Sequence, residues 1–371
     1  MRRLAEIALF VIITLLQSCG SNTVVRDTEP IYTPRYAKGF SIERDKHSGE
    51  KLLCIRDPWQ GAEKRYFYTV LDTINPPKRI IAMSSGHAAM LDAVGCRNRI
   101  VGLSGCQFIY NSELCKEIAE GRIGEVGYDN AFNFEKMRAL NPDIVLLYGV
   151  TGEAKTITNK LDELRIPYIY IGEYLEESPL GKAEWVIALA ALCGVEEQGK
   201  ALFAEIEGRY NAMREQIQAA KHRPRVMLNL PYRDTWFMPP KESYMVRLIE
   251  DAGGEYILAE NGEQKGGSNA KTSEPISLEK ALILASKADF WLNLGQTTSL
   301  EELRAVAPRF AKVNAVRLGR VYNNTKRTNE YRGSDFWESG AVRPDIILED
   351  LIKILHDEAP TDSLYYYKKL Q

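Results

Sequence analysis

Between Asn323 and Trp337 the chain sets Arg327, Arg332, Tyr331 and Trp337 among Asn, Thr, Ser and Gly residues, a mixture too polar for a core strand. Guanidinium groups neutralise anions and aromatic faces pack flat groups, so this run has the composition of a ligand loop. Tyr232, Arg233, Trp236 and Tyr244 extend the same chemistry upstream, and Ser85, His87, Tyr110, Tyr128 and Tyr148 supply it in the first half. Catalytic patterns are weaker. Gly102-Leu103-Ser104-Gly105 falls short of a nucleophile elbow, and no Ser-His-Asp order stands out. Gly194-Val195-Glu196-Glu197-Gln198-Gly199-Lys200 imitates a phosphate loop, yet Ala201 replaces the Ser or Thr that magnesium needs, and an apolar helical run precedes it instead of a strand. His47, His87, His222 and His356 are too scattered to hold a bare metal ion. The expectation is a binding protein with no catalytic residue, no resident cofactor and no directly ligated metal.

Such residues need a scaffold that presents them at the ends of strands. From Arg79 onward, short apolar runs alternate with helical patterns, as in parallel sheets with helical crossovers. The runs Arg79–Met83, Ile100–Leu103, Asp143–Leu147 and Tyr168–Ile171 predict one α/β lobe, and Arg225–Leu230, Asp289–Leu294 and Arg320–Tyr322 predict a second. Between them, Pro179 to about Lys221 reads as almost wholly helical, with a break at Gly194. Before Pro76-Pro77, the alternation in Phe40–Glu43, Leu52–Ile55 and Tyr66–Val70 predicts a small antiparallel meander. Residues 77–177 thus form an N-terminal lobe, 178–222 a helical crossover and 223–371 a C-terminal lobe, with 39–76 an added β extension.

The start of the chain carries different information. Arg2-Arg3, the apolar run Ile7–Leu16 and Cys19 read as a lipoprotein export signal over 1–18, with Cys19 the lipidated first residue and 19–38 a polar, mobile tether. The apolar run is too short to span a bilayer, so the lipid alone holds the chain at the membrane, outside the cytoplasm. With 48 Lys and Arg against 50 Asp and Glu and no basic run, nucleic acid is an improbable partner. Besides Cys19 there are Cys54, Cys96, Cys106, Cys115 and Cys193, without a CxxC pair; Cys106 and Cys115 pair in an oxidising compartment, or all remain buried thiols.

One internal echo links the lobes. Asn133-Phe134-Glu135-Lys136 precedes the strand beginning at Asp143, and Ser277-Leu278-Glu279-Lys280 precedes the strand beginning at Asp289. In each, the Asn or Ser is a helix N-cap that puts the Glu in the first turn. Together with Arg79–His87, Ile100–Ser104 and Leu140–Leu146, these segments resemble the substrate-binding proteins of ABC importers for ferric siderophores, haem and cobalamin, over about Pro77 to His356. The resemblance implies two Rossmann-like α/β lobes joined by a long rigid helix, with the ligand in the cleft. It also implies a monomer whose Glu135 and Glu279 dock on Arg residues of a dimeric permease with its ATPase subunits. A ferric siderophore is favoured as the ligand, on account of the Arg side chains, over a corrinoid or haem. An extracytoplasmic hydrolase or chelatase-like enzyme is the rival of a different class, and a lipoprotein serving an outer-membrane receptor is a third reading.

Overall fold

The computed structural model describes residues 26–62, 65–128, 131–150, 155–257, 273–356 and 360–371. Cys19 lies outside them. Four antiparallel strands come first, β1 (Thr28–Tyr32), β2 (Phe40–Asp45), β3 (Lys51–Arg56) and β4 (Tyr66–Val70), paired in that order. The N-terminal lobe follows as β5 (Ile80–Ala82), α1 (Ser85–Ala93), β6 (Ile100–Leu103), α2 (Ser112–Ala119), β7 (Gly124–Glu125), α3 (Phe134–Ala139), β8 (Ile144–Leu147), α4 (Lys155–Leu164) and β9 (Tyr168–Tyr170). Helices α5 (Pro179–Leu192) and α6 (Glu196–Ile217) lead to the second lobe. It comprises β10 (Arg225–Leu228), β11 (Thr235–Met238), α7 (Tyr244–Asp251), β12 (Glu255–Tyr256), β13 (Glu274–Ser277), α8 (Leu278–Ser286), β14 (Phe290–Leu292), α9 (Leu300–Val306), α10 (Asn314–Arg317), β15 (Val321–Asn323), α11 (Pro344–His356) and β16 (Lys368–Lys369).

Two separate five-stranded sheets result. The first is wholly parallel in the order β7-β6-β5-β8-β9; the second, β12-β10-β14-β15-β16, is parallel except for its last strand. Their continuous apolar runs are buried on both faces by helices, the usual condition for parallel strands. The fold is therefore the expected α/β type with two lobes and an added N-terminal sheet. Among the described residues no helix is long and apolar enough to cross a membrane.

The crossover is more elaborate than a single strut. Chain continuity between the lobes runs through α6, 22 residues long, but α5 folds back against it at Cys193–Val195, with Gly194 at φ +71°. Gly199 of α6 lies so close that a Cβ there would meet the Cβ of Ala190 at 2.5 Å. Helix α5 is apolar on nearly every side, and a helix of that kind has to be enclosed. Helices α1 and α6 and the inner face of the N-terminal sheet enclose it, with the Phe40 ring packed at a tilt 5.1 Å from Trp185.

Over residues 28–38 this packing overturns the expectation of a mobile tether. Thr28–Tyr32 is a strand, and the following turn is fixed by buried carboxylates. Glu184 accepts hydrogen bonds from the Tyr32 hydroxyl and from the backbone N–H groups of Arg35, Tyr36 and Ala37 at 2.7–2.9 Å. Glu176 accepts from the N–H groups of Lys38 and Gly39 and from the Trp185 indole. The polarity that suggests a loose tether is a set of donors aimed at acceptors about 150 residues away in sequence. The C-terminus is tied similarly, since Asp350 accepts the N–H groups of Tyr365, Tyr366 and Tyr367. All five described cysteines, Cys106 and Cys115 included, are free thiols.

Candidate functional site

In the first sheet, β5 leads outward to β6 and β7 on one side, and β8 and β9 lie on the other, so the winding reverses between β5 and β8. Open α/β sheets present their crevice at the carboxyl ends of strands at such a reversal. Here it holds a cavity of about 800 Å³, within the range of small-molecule sites. Its wall is formed by Met83–Gly86 after β5, Ser104, Gly105 and Phe108 after β6, and Leu147, Tyr148 and Val150 after β8. Tyr128, Phe132, Phe134 and Tyr170 add aromatic faces, and Trp337 and Ala341 of the second lobe close the opposite side.

Two charged side chains line this largely apolar space, Glu173 and Lys182. Glu173 is 2% exposed and sits 3.3 Å from Nε2 of fully buried His87. The His87 ring in turn meets Tyr148 edge-on at 5.6 Å. Burial, reinforced by the Glu173 charge, pushes the Tyr148 hydroxyl well above its ordinary range, so at neutral pH it remains a hydrogen-bond donor. Burial acts in the opposite sense on Lys182, pulling its ammonium below the usual lysine range while Glu173 opposes the shift.

The N-terminal sheet contributes to the wall from outside. Trp59, in the loop after β3, packs 4.9 Å from Tyr170, and a Cβ on Gly149 would lie 2.9 Å from the Pro58 carbonyl oxygen. The Tyr174 hydroxyl donates to the Gly149 carbonyl, fixing the backbone between Tyr148 and Val150. An element outside the usual two-lobed plan thus buttresses the cavity.

The residues singled out in the sequence divide sharply. Ser85, Tyr128, Tyr148 and Trp337 line the cavity, and His87 lies directly beneath Tyr148. Trp337 is 58% exposed, with its ring edge-on to Phe336. Trp236 is a correction: it is fully buried, donates its indole N–H to the Leu228 carbonyl and packs at a tilt on Trp291 and edge-on to Phe310. Arg327 is also spent internally, paired with Asp335 and sandwiched between Tyr110 and Tyr365 at 5.2 and 4.2 Å. Tyr110 therefore serves the contact between lobes. Its backbone N–H and that of Asn111 donate to buried Glu338, and Asn329 donates to the Ile109 carbonyl. Arg233, stacked on Tyr232 at an exposed turn, and Tyr331, 66% exposed, stand outside the cavity lining. Tyr244 does not line it either, but its ring lies 5.2 Å beneath the Lys182 ammonium.

Sequence reasoning missed Glu173 and Lys182. Each carried a signal: Glu173 directly follows an apolar strand and its glycine, and Lys182 interrupts a helix otherwise almost devoid of charge. Glu135 and Glu279, by contrast, are where the echo puts them. Asn133 and Ser277 cap α3 and α8, and both carboxylates are exposed, one on each lobe. Glu279 lies 3.7 Å from Arg309; among the described residues Glu135 has no ion-pair partner.

Relatives are found by sequence and by structure. An uncharacterized lipoprotein of Methanocaldococcus jannaschii is 29% identical over 325 residues, covering 84% of this chain and 74% of that protein. Among solved structures, a periplasmic heme-binding protein of Pseudomonas aeruginosa aligns over 80% of this chain and 98% of its own, with a TM-score of 0.58 at 15% identity. A periplasmic vitamin B12-binding protein of Vibrio cholerae aligns over 76% and 98%, with a TM-score of 0.53 at 17% identity. These likenesses carry the fold. The model of the periplasmic binding proteins matches residues 80–328, from the first strand of the first lobe to the loop that bears Arg327, and the chain belongs to that family.

Proposed function

We propose that this protein is a lipid-anchored, extracytoplasmic receptor that captures a metal chelate or corrinoid and delivers it to an ABC importer without altering it chemically. The observation that carries the reading is the aromatic cavity at the winding reversal of the first sheet, closed by Trp337 from the second lobe. Preformed apolar walls bind flat ligands at low ordering cost. The anchor rests on the signal-like start ending at Cys19 and on the lipoprotein relative.

For the ligand, the cavity favours a flat, weakly charged chelate. The Arg side chains that argue from sequence for an anionic ferric siderophore are spent elsewhere or stand outside the lining, and the two lining charges are opposite in sign. A ferric siderophore of low net charge and a haem both suit that wall, with cobalamin next. The names of the heme- and vitamin B12-binding structures make these two the natural first probes. The rival hydrolase reading needs an accessible base, and His87, fully buried against Glu173, does not offer one.

A thermal-shift titration with hemin, cyanocobalamin and ferric chelates tests the reading. A saturating ligand at a hundred times its Kd adds about 2.7 kcal/mol of stability. Saturable stabilisation by one probe, recovered unchanged, supports capture; turnover abolished by changing Ser85 or His87 would favour the enzyme.

A further inference from the structure

We propose that Lys182 reads an anionic substituent of the ligand, so that the cargo carries an acidic group, a carboxylate or phenolate, at the edge facing the seam between the lobes. This rests on the ligand-capture reading and narrows it. Lys182 projects from α5 into the wall of the cavity, and its ammonium lies over the ring of Tyr244 on α7 of the second lobe. An anion bound there meets a cation that itself rests on the second lobe.

The charge on Lys182 is unmatched among the described residues. Every buried carboxylate near the start of α5 is engaged by another group. Glu173 faces His87, Glu176 takes Trp185 and the backbone of Lys38 and Gly39, and Glu184 takes Tyr32 and the three N–H groups after it. Among the described residues no ion pair reaches Lys182; it has the face of Tyr244 and, at longer range, the field of Glu173. A partly buried ammonium with no directly paired carboxylate is poorly compensated, and a ligand that places an anion on it adds the ion pair the fold does not make. One ammonium near one carboxylate also sets an upper limit. A polyanionic chelate would meet the Glu173 charge, whereas a ligand with an acidic group at one edge places it on Lys182 and keeps its apolar face against Tyr128, Tyr148 and Trp337.

The test compares hemin with hemin dimethyl ester, which lacks free carboxylates, on the purified protein and on Lys182→Met and Lys182→Gln, with cyanocobalamin and a ferric tris-catecholate alongside. The unsubstituted protein is expected to prefer the acid over the ester by about ten-fold or more, and both variants to lose that preference. Without ligand, the midpoint of thermal unfolding of Lys182→Met should equal or exceed that of the unsubstituted protein, because an unmatched charge has been removed. The inference is overturned by equal binding of acid and ester, by a preference that survives both substitutions, by tightest binding of the polyanion, or by a lower midpoint in both variants. Binding of cyanocobalamin alone would overturn it and leave ligand capture standing. Failure of the unsubstituted protein to bind any probe would withdraw ligand capture itself, and the inference with it.

Discussion

Glu338 is the residue at which the meeting of the lobes becomes measurable. Its carboxylate, 2% exposed, accepts the N–H groups of Tyr110 and Asn111 across the seam. Burial pushes its pKa from the ordinary 4.5 up to about 7, with the two N–H donors opposing and the charges of Asp335 and Asp92 assisting. An acid with a raised native pKa holds a proton that the unfolded chain releases, so its contribution is fully present below pH 4.5 and is lost as pH rises through about 7. Glu338→Gln should therefore flatten the decline in stability over that window, as read by denaturant titrations at several pH values; an unaltered slope would place the titration elsewhere. Trp337 is the neighbouring ligand-side test. Trp337→Ala should weaken binding by about 1–3 kcal/mol if the indole covers the ligand face, as central aromatic contacts do. An unchanged Kd in a direct titration would make it a surface residue.

At the scale of elements, the decisive object is the helical hairpin. Helix α5 has too little polar surface to stand in solvent, and it became the interior post against which the N-terminal sheet, α1 and α6 all pack. The close approach at Gly199 makes that packing testable. Gly199→Ala inserts a methyl group 2.5 Å from the Ala190 Cβ and 3.2 Å from the Val186 carbonyl oxygen, and overpacking of this kind destabilises by about 1–3 kcal/mol. A urea midpoint equal to that of the parent would show that the two helices reseat without cost. The same element accounts for the N-terminal sheet being integral: its turn donates to Glu176 and Glu184 of the hairpin region, and its 57–61 loop abuts Gly149.

For the whole molecule, what matters is that Glu135 and Glu279 stand exposed in the matching first turns of α3 and α8, one on each lobe. In the docking role proposed for them, a partner of two similar subunits would read both only while the lobes keep their spacing, and hydrogen bonds across the seam hold that spacing. Exposed ion pairs are individually weak, so either substitution alone should impair transport modestly. Glu135→Ala combined with Glu279→Ala should leave ligand affinity intact and abolish uptake by cells; normal uptake by the double variant would refute the docking assignment. Arg309, 3.7 Å from Glu279, is an internal competitor that the first lobe does not share among its described residues.

Much of this was legible in the residues alone. Apolar runs of strand length separated by capped helices determined the two α/β lobes, because burial on both faces of a parallel strand leaves a continuous hydrophobic signature, and the caps at Asn133 and Ser277 placed Glu135 and Glu279 through purely local hydrogen bonds. The cavity wall was legible where an aromatic follows a strand directly, as Tyr148 does. What composition cannot encode is the partner of a long-range contact: whether Arg327 faces a ligand or Asp335, whether Trp236 stacks on a chelate or on Trp291, and whether Tyr32–Gly39 trails in solvent or satisfies carboxylates on a distant helix. Those choices depend on which groups the tertiary fold desolvates together, and only the folded chain decides that.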